Sequence, residues 1–115
     1  MADDVTIYHN PRCSKSRETL ALIEGKGLQP RVVDYLRQPP SAAELERILA
    51  LLGKGPRDIL RRKEAAEAGI DAAALDDAAL LAAMVAHPAV IERPIVVAGE
   101  RAALGRPPES VLDIL

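Results

Sequence analysis

The one cysteine of the chain, Cys13, lies in the stretch His9-Asn10-Pro11-Arg12-Cys13-Ser14-Lys15-Ser16-Arg17, beside a histidine and several cationic side chains. The thiolate, not the thiol, is the nucleophile, and nearby positive charge favours it. A β-type run, Val5-Thr6-Ile7-Tyr8, precedes the stretch, and a helical run, Glu18-Thr19-Leu20-Ala21-Leu22-Ile23-Glu24-Gly25, follows it. A strand that runs into a helix sets the connecting loop at the end of a sheet. The unpaired N–H groups of the helix start then point at whatever sits there. They favour a thiolate and suit an oxyanion. The stretch therefore reads as a nucleophilic thiolate in an anion-binding cradle. The bland alternative is an inert cysteine buried as a small hydrophobe; the strand–loop–helix setting and the local charge weigh against it.

The elements that must position this loop follow from the pattern of the chain. A strand near residues 4–8 and a helix near 14–25 end at Gly25-Lys26-Gly27, where glycine supplies a left-handed cap. Arg31-Val32-Val33-Asp34-Tyr35-Leu36 reads as a second strand, and the crossover makes the pair parallel in a right-handed βαβ unit. Pro39-Pro40 breaks the chain, and Ser41-Ala42-Ala43-Glu44 has the spacing of a capping box. Leu45, Ile48, Leu49 and Leu52 then share one helical face. Gly53-Lys54-Gly55-Pro56 stops that helix, and Arg57 to Lys63 starts a short one. Asp76 or Asp77 caps a further helix with Leu80, Leu81, Met84 and Val85 buried, ended by His87-Pro88. Ala72 to Ala83 reads simply as a helix former. No strand candidate falls between residues 40 and 90. Pro94-Ile95-Val96-Val97-Ala98, Gly99-Glu100 and Arg101-Ala102-Ala103-Leu104 predict a tight hairpin. A last helix is expected over Glu109 to Leu115, with Val111, Leu112 and Leu115 inward and Pro108 at its first position. The sum is an α/β chain: a four-stranded mixed sheet with flanking helices and a helical insertion.

Composition narrows the function classes. A chain of 115 residues, 49% hydrophobic, suits one domain with one core. Two Tyr and neither Phe nor Trp make that core aliphatic and leave no stacking platform for single-stranded nucleic acid. A net charge of −2 supplies no general basic field for nucleic acid or anionic lipid. One Cys makes no internal disulfide, which fits a reducing cytoplasm. The acidic start Met1-Ala2-Asp3-Asp4 is unlike a signal peptide, and no run has the apolar length of a membrane span. One Cys and two His offer no metal-site spacing, and glycine-rich nucleotide fingerprints are absent.

Four stretches together, Tyr8 to Arg17, Ile59-Leu60-Arg61, Glu92-Arg93-Pro94-Ile95-Val96-Val97 and Gly105-Arg106-Pro107, resemble the glutaredoxin-coupled arsenate reductase family, and within it the short branch. The resemblance runs over nearly the whole chain. It implies a single thioredoxin-like domain over residues 1–115 with a helical insertion at about 38–92. It implies that Cys13 is the catalytic thiolate that attacks arsenate. Arg61, Arg93 and Arg106 match the arginines that hold the oxyanion and its covalent adduct. His9 and Ser16 match catalytic-loop residues that lower the thiol pKa, and Pro94 matches the cis-proline beside the active cysteine. Glutathione is the implied co-substrate and glutaredoxin the implied protein partner. No bound cofactor, metal, nucleic acid or membrane is expected, and the protein is expected to be a cytoplasmic monomer.

The residues themselves are compatible with this. Guanidinium forks and helix-start N–H groups suit a tetrahedral oxyanion. Arg93 and Arg106 each precede proline, which holds them extended at loop or strand ends. Most of the eleven arginines are solvated surface charges on the bland reading. Arg61 and Arg62 are adjacent, so only one of them can face a cradle. For His9 the competing reading is a loop histidine with a satisfied hydrogen bond; His87 is a helix-end residue. Two other functions stay open. One is a general glutathione-linked thiol oxidoreductase. The other is a redox-insensitive relative of the RNA-polymerase-binding regulators of the same fold, whose Cys-x-x-Cys pair has Ser16 here in its second place.

Overall fold

The computed structural model describes residues 4–115; Met1, Ala2 and Asp3, on which the acidic start rests, lie outside the described residues. The chain divides into two compact units, one formed by the residues up to Gln38 together with Arg93–Leu115, the other by Pro39–Glu92.

The first unit is built on β1 (Val5–His9), α1 (Ser14–Gly25), β2 (Arg31–Asp34), β3 (Ile95–Ala98) and β4 (Arg101–Leu104), in the sheet order β2-β1-β3-β4. β1 pairs parallel to β2 and antiparallel to β3, and β3 pairs antiparallel to β4. This is the thioredoxin-like mixed sheet that the motifs imply. In β1 the alternation buries Val5, Ile7 and His9. Val5 and Ile7 join Ile23 of α1, Val96 of β3 and Val111 in an aliphatic core cluster, with Leu20, Leu28 and Ile114 packed against it. Burying one such side chain contributes about 1.5–3 kcal/mol. In the hairpin, Gly99 supplies the positive φ of 61° that a two-residue turn requires.

Two details differ from the sequence reading. β2 ends at Asp34, because a turn closed on the Asp34 carbonyl begins at Tyr35, which is buried there. The C-terminal segment Pro108–Ile114 is a 3-10 helix. Its three-residue repeat puts Pro108, Val111 and Ile114 on one side, so Leu115 faces outward and is 36% exposed.

The second unit holds α2 (Ala42–Leu52), α3 (Arg62–Glu67) and α4 (Asp77–Ala86), with 3-10 turns at Pro56–Ile59, Ala72–Ala74 and Pro88–Val90. Ser41 caps α2 in a full capping box with Glu44, and Leu45, Ile48 and Leu49 are buried. Asp76 caps α4 by accepting the Ala79 N–H at 2.8 Å. That cap divides the alanine-rich tract into a 3-10 turn and a helix, so local polar chemistry overrides alanine propensity. Leu60 is extended and forms an isolated antiparallel bridge with Ile91, the one piece of β structure here among the described residues. Among the described residues no helix is long and apolar enough to cross a membrane.

Candidate active site

β1 delivers the loop to the sheet end, and α1 begins directly after Cys13. Asn10 shapes the turn between them. Its side-chain Oδ1 accepts the Arg12 N–H at 3.0 Å, and its carbonyl accepts the Cys13 N–H at 3.0 Å. Pro11 takes the second turn position, where its fixed φ is favoured. Cys13 itself is the N-cap of α1, extended at φ −93° and ψ 122°. At an N-cap a side-chain acceptor meets the N–H groups of the second and third helical residues. Here those residues are Lys15 and Ser16; no cap hydrogen bond to the Cys13 sulfur is formed, but their backbone N–H groups favour its thiolate form.

Two arginines complete the surroundings of the sulfur. One Arg106 guanidinium nitrogen lies 3.7 Å from Cys13 Sγ, and Arg93 is a side-chain hydrogen-bond partner of the same sulfur. Arg106 is held in turn by its Nε, which donates to the Arg93 carbonyl at 2.8 Å. The Arg93–Pro94 and Arg106–Pro107 peptide bonds are both cis. Gly105 lies buried between these segments, and its N–H donates to the Pro94 carbonyl at 2.9 Å. A Cβ at Gly105 would collide with Thr19 Oγ1 and stand 2.6 Å from Pro94 Cγ. The close approach that carries Arg106 to the thiol therefore needs glycine.

These contacts decide the state of the thiol. Partial burial pushes the Cys13 thiol up. The Ser16 N–H, the Arg93 guanidinium, the Lys15 N–H and the Arg106 charge outweigh that and hold it below the usual thiol range. The basic residues next to it in sequence go elsewhere. Arg17 donates to the Pro11 carbonyl at 2.9 Å, and Lys15 Nζ pairs with Glu18 at 3.8 Å.

His9 and Ser16 form a second, buried pair. Ser16 Oγ accepts the Asn10 N–H at 3.0 Å and lies 2.6 Å from His9 Nδ1. Burial pushes His9 below the usual imidazole range; the Asp34 carboxylate opposes this and the Arg17 charge adds to it. A neutral ring with its proton on Nε2 leaves Nδ1 to accept from the serine hydroxyl. The pair ties the end of β1 to the first turn of α1, the turn that follows Cys13.

Arg61 sits in the helical unit. Its Nε reaches Glu64 at 3.1 Å and one terminal nitrogen reaches Glu92 at 2.7 Å. Burial works against its charge, but the two carboxylates, Glu92 ahead of Glu64, hold its pKa above the ordinary value. Asn10, Thr19 and Gly105 shape the site although motif reading assigns them no role, Asn10 and Gly105 standing inside the matched stretches and Thr19 outside them. Only Asn10, as an Asx-turn former before a proline-containing turn, left a local signal. Among the described residues no cluster of His, Cys, Asp and Glu could hold a metal.

Known proteins resemble this chain over nearly its whole length. The model of the ArsC family matches residues 8–114. An arsenate reductase of Rhizobium meliloti (strain 1021) is 50% identical over 113 residues, spanning 96% of this chain and 81% of that protein. The uncharacterized protein YfgD of Escherichia coli K12 is 49% identical over 118 residues, spanning 100% of this chain and 99% of YfgD. Among solved structures, a putative arsenate reductase from Yersinia pestis superimposes with a TM-score of 0.91 at 53% identity, covering 96% of this chain and all of that one. With a family model over residues 8–114, relatives of about half identity and a solved structure that superimposes over 96% of it, the chain belongs to the ArsC family.

Proposed function

We infer that this protein is an arsenate reductase that uses Cys13 as nucleophile and takes its reducing equivalents from glutathione and glutaredoxin. The observation that carries the reading is the Cys13 sulfur at the cap of α1 with Arg106 3.7 Å away and Arg93 as a second side-chain partner. Such a sulfur attacks arsenic while the two guanidinium groups and the helix-start N–H groups hold the arsenate oxygens. His9 and Ser16 act as positioning residues that keep the first turn of α1 closed on the sulfur, and Pro94 shapes the floor beside it. Arg61 is retained as the third arginine. It is already paired with Glu64 and Glu92, so an anion gains less from it than from Arg93 or Arg106.

Electron balance supports an outside thiol. Reducing arsenate to arsenite takes two electrons, hence two thiols, and the chain has one Cys. Arsenate, the Cys13 thiol and one glutathione thiol become arsenite, water and a Cys13–glutathione disulfide. A glutaredoxin thiolate then exchanges with that disulfide and frees Cys13. The proposal includes a single functional domain in which residues 39–92 are an insertion, acting as a cytoplasmic monomer.

The test is arsenite production from arsenate with glutathione, with and without glutaredoxin. Turnover that needs glutathione, rises with glutaredoxin and is lost in Cys13→Ser meets the expectation. Glutathione-dependent disulfide exchange without arsenite would make the protein a general thiol oxidoreductase instead.

A further inference from the structure

We propose that a cavity on the β2 flank of the catalytic loop is the docking site for a small acidic peptide thiol, the second thiol of the reaction; this rests on the function inferred above. The cavity has a volume of about 230 Å³ and is lined by Asn10, Pro11, Arg12, Asp34, Leu36 and Arg37. The sheet order places β2 and β3 on opposite sides of β1. The loop after β1 therefore has two flanks. Arg93 and Arg106, at the two ends of the β3–β4 hairpin, take the oxyanion flank. The cavity takes the other, one residue from the nucleophile, so the incoming thiol and the oxyanion do not compete for the same donors.

The lining suits an acidic peptide. The Arg12 guanidinium has no hydrogen bond or ion pair among the described residues, and Arg37 is 87% exposed with one long ion pair, 3.7 Å to Asp34 Oδ2. Two planar forks beside one carboxylate give a net positive cleft that fits a carboxylate while leaving an acceptor for an ammonium group. Leu36, 41% exposed, and Pro11 offer apolar surface to the methylenes between such ends. The size of the cavity favours a free small peptide over a protein surface.

The experiment has two arms. S-methylglutathione, which cannot react, is titrated into the labelled protein, and backbone amide shifts are followed by NMR. Shifts centred on Arg12, Asp34, Leu36 and Arg37 support the site; shifts confined to other parts of the molecule, or none, overturn it. In turnover, Arg37→Glu should raise the glutathione concentration for half-maximal rate several-fold, with little change when 2-mercaptoethanol is the thiol and with arsenate protection of Cys13 unchanged. An equal effect on both thiols, or none on either, overturns the proposal, as does dependence of the Arg37→Glu effect on glutaredoxin alone, which would assign the surface to a protein. Loss of arsenate protection in the parent protein, with S-methylglutathione still bound in the cleft, would remove the arsenate reading and leave the docking site standing.

Discussion

At the scale of single residues, the proposed chemistry turns on one sulfur and the donors around it. Iodoacetamide should label Cys13 with a midpoint below that of a free thiol, because the thiol is held below its ordinary value of roughly 8.5. Arsenate should slow that labelling. Arg106→Ala is expected to weaken the protection about tenfold, since one charge-assisted bond contributes about 1.5–3 kcal/mol and about 1.4 kcal/mol is a factor of ten. Arg106→Lys should recover part of it, because the planar fork is lost. Arg61→Ala should do less than Arg106→Ala; an equal loss would show that the Glu64 and Glu92 pairing does not tie up its charge. For His9 the geometry predicts a split by shape rather than charge. His9→Gln can still accept from Ser16 Oγ and should leave the labelling midpoint near that of the parent. His9→Leu cannot, and should raise the midpoint. If both raise it equally, a charged His9 acts on the thiol directly.

At the scale of elements, the site depends on α1 and the β3–β4 hairpin meeting at close range. Gly105→Ala forces its new methyl into Thr19 and Pro94, so the hairpin end must shift. Overpacking of this kind costs roughly 1–3 kcal/mol. The distinguishing readout is the thiol: displacement of Arg106 should move the Cys13 labelling midpoint upward, whereas a core substitution such as Ile23→Ala, worth about 2–5 kcal/mol, should lower the urea midpoint and leave the labelling midpoint alone. Boundaries of the elements followed local chemistry where it was strong. The Ser41–Glu44 capping box and the Gly99 turn stand where the spacing put them. Within the alanine tract the helix starts at the Asp76 cap that the sequence offered, its side chain accepting the Ala79 N–H.

At the scale of the whole molecule, two groups link stability to pH in the same direction. His9 is held below its unfolded value of roughly 6.5, so the folded state loses stability as pH falls from that value through the folded one. Cys13 is held below roughly 8.5, so the folded state gains stability as pH rises from the folded value up to the unfolded one. Urea midpoints should therefore rise from pH 5 to pH 8.5. Cys13→Ser should flatten the alkaline part of that rise and His9→Gln the acidic part. A profile unchanged by either substitution would mean that neither shift is present in the folded protein.

By itself the sequence determined whatever is contiguous. The strand, the Asn10-Pro11 turn, the thiol and the helix start lie within a few residues of one another, so turn propensity and N-cap geometry suffice to form the loop. The periodicities likewise specified the sheet and the main helices, but not the C-terminal segment, whose 3-10 repeat turns Leu115 outward. Only the tertiary structure decided which cations reach the sulfur. The neighbours that the sequence offered, Lys15 and Arg17, turn to Glu18 and to the Pro11 carbonyl. The cations that reach it, Arg93 and Arg106, come from segments about eighty and ninety residues away. Their arrival requires the order β2-β1-β3-β4 and a glycine-thin contact at Thr19, and long-range packing of that kind leaves no mark in the spacing of residues along the chain.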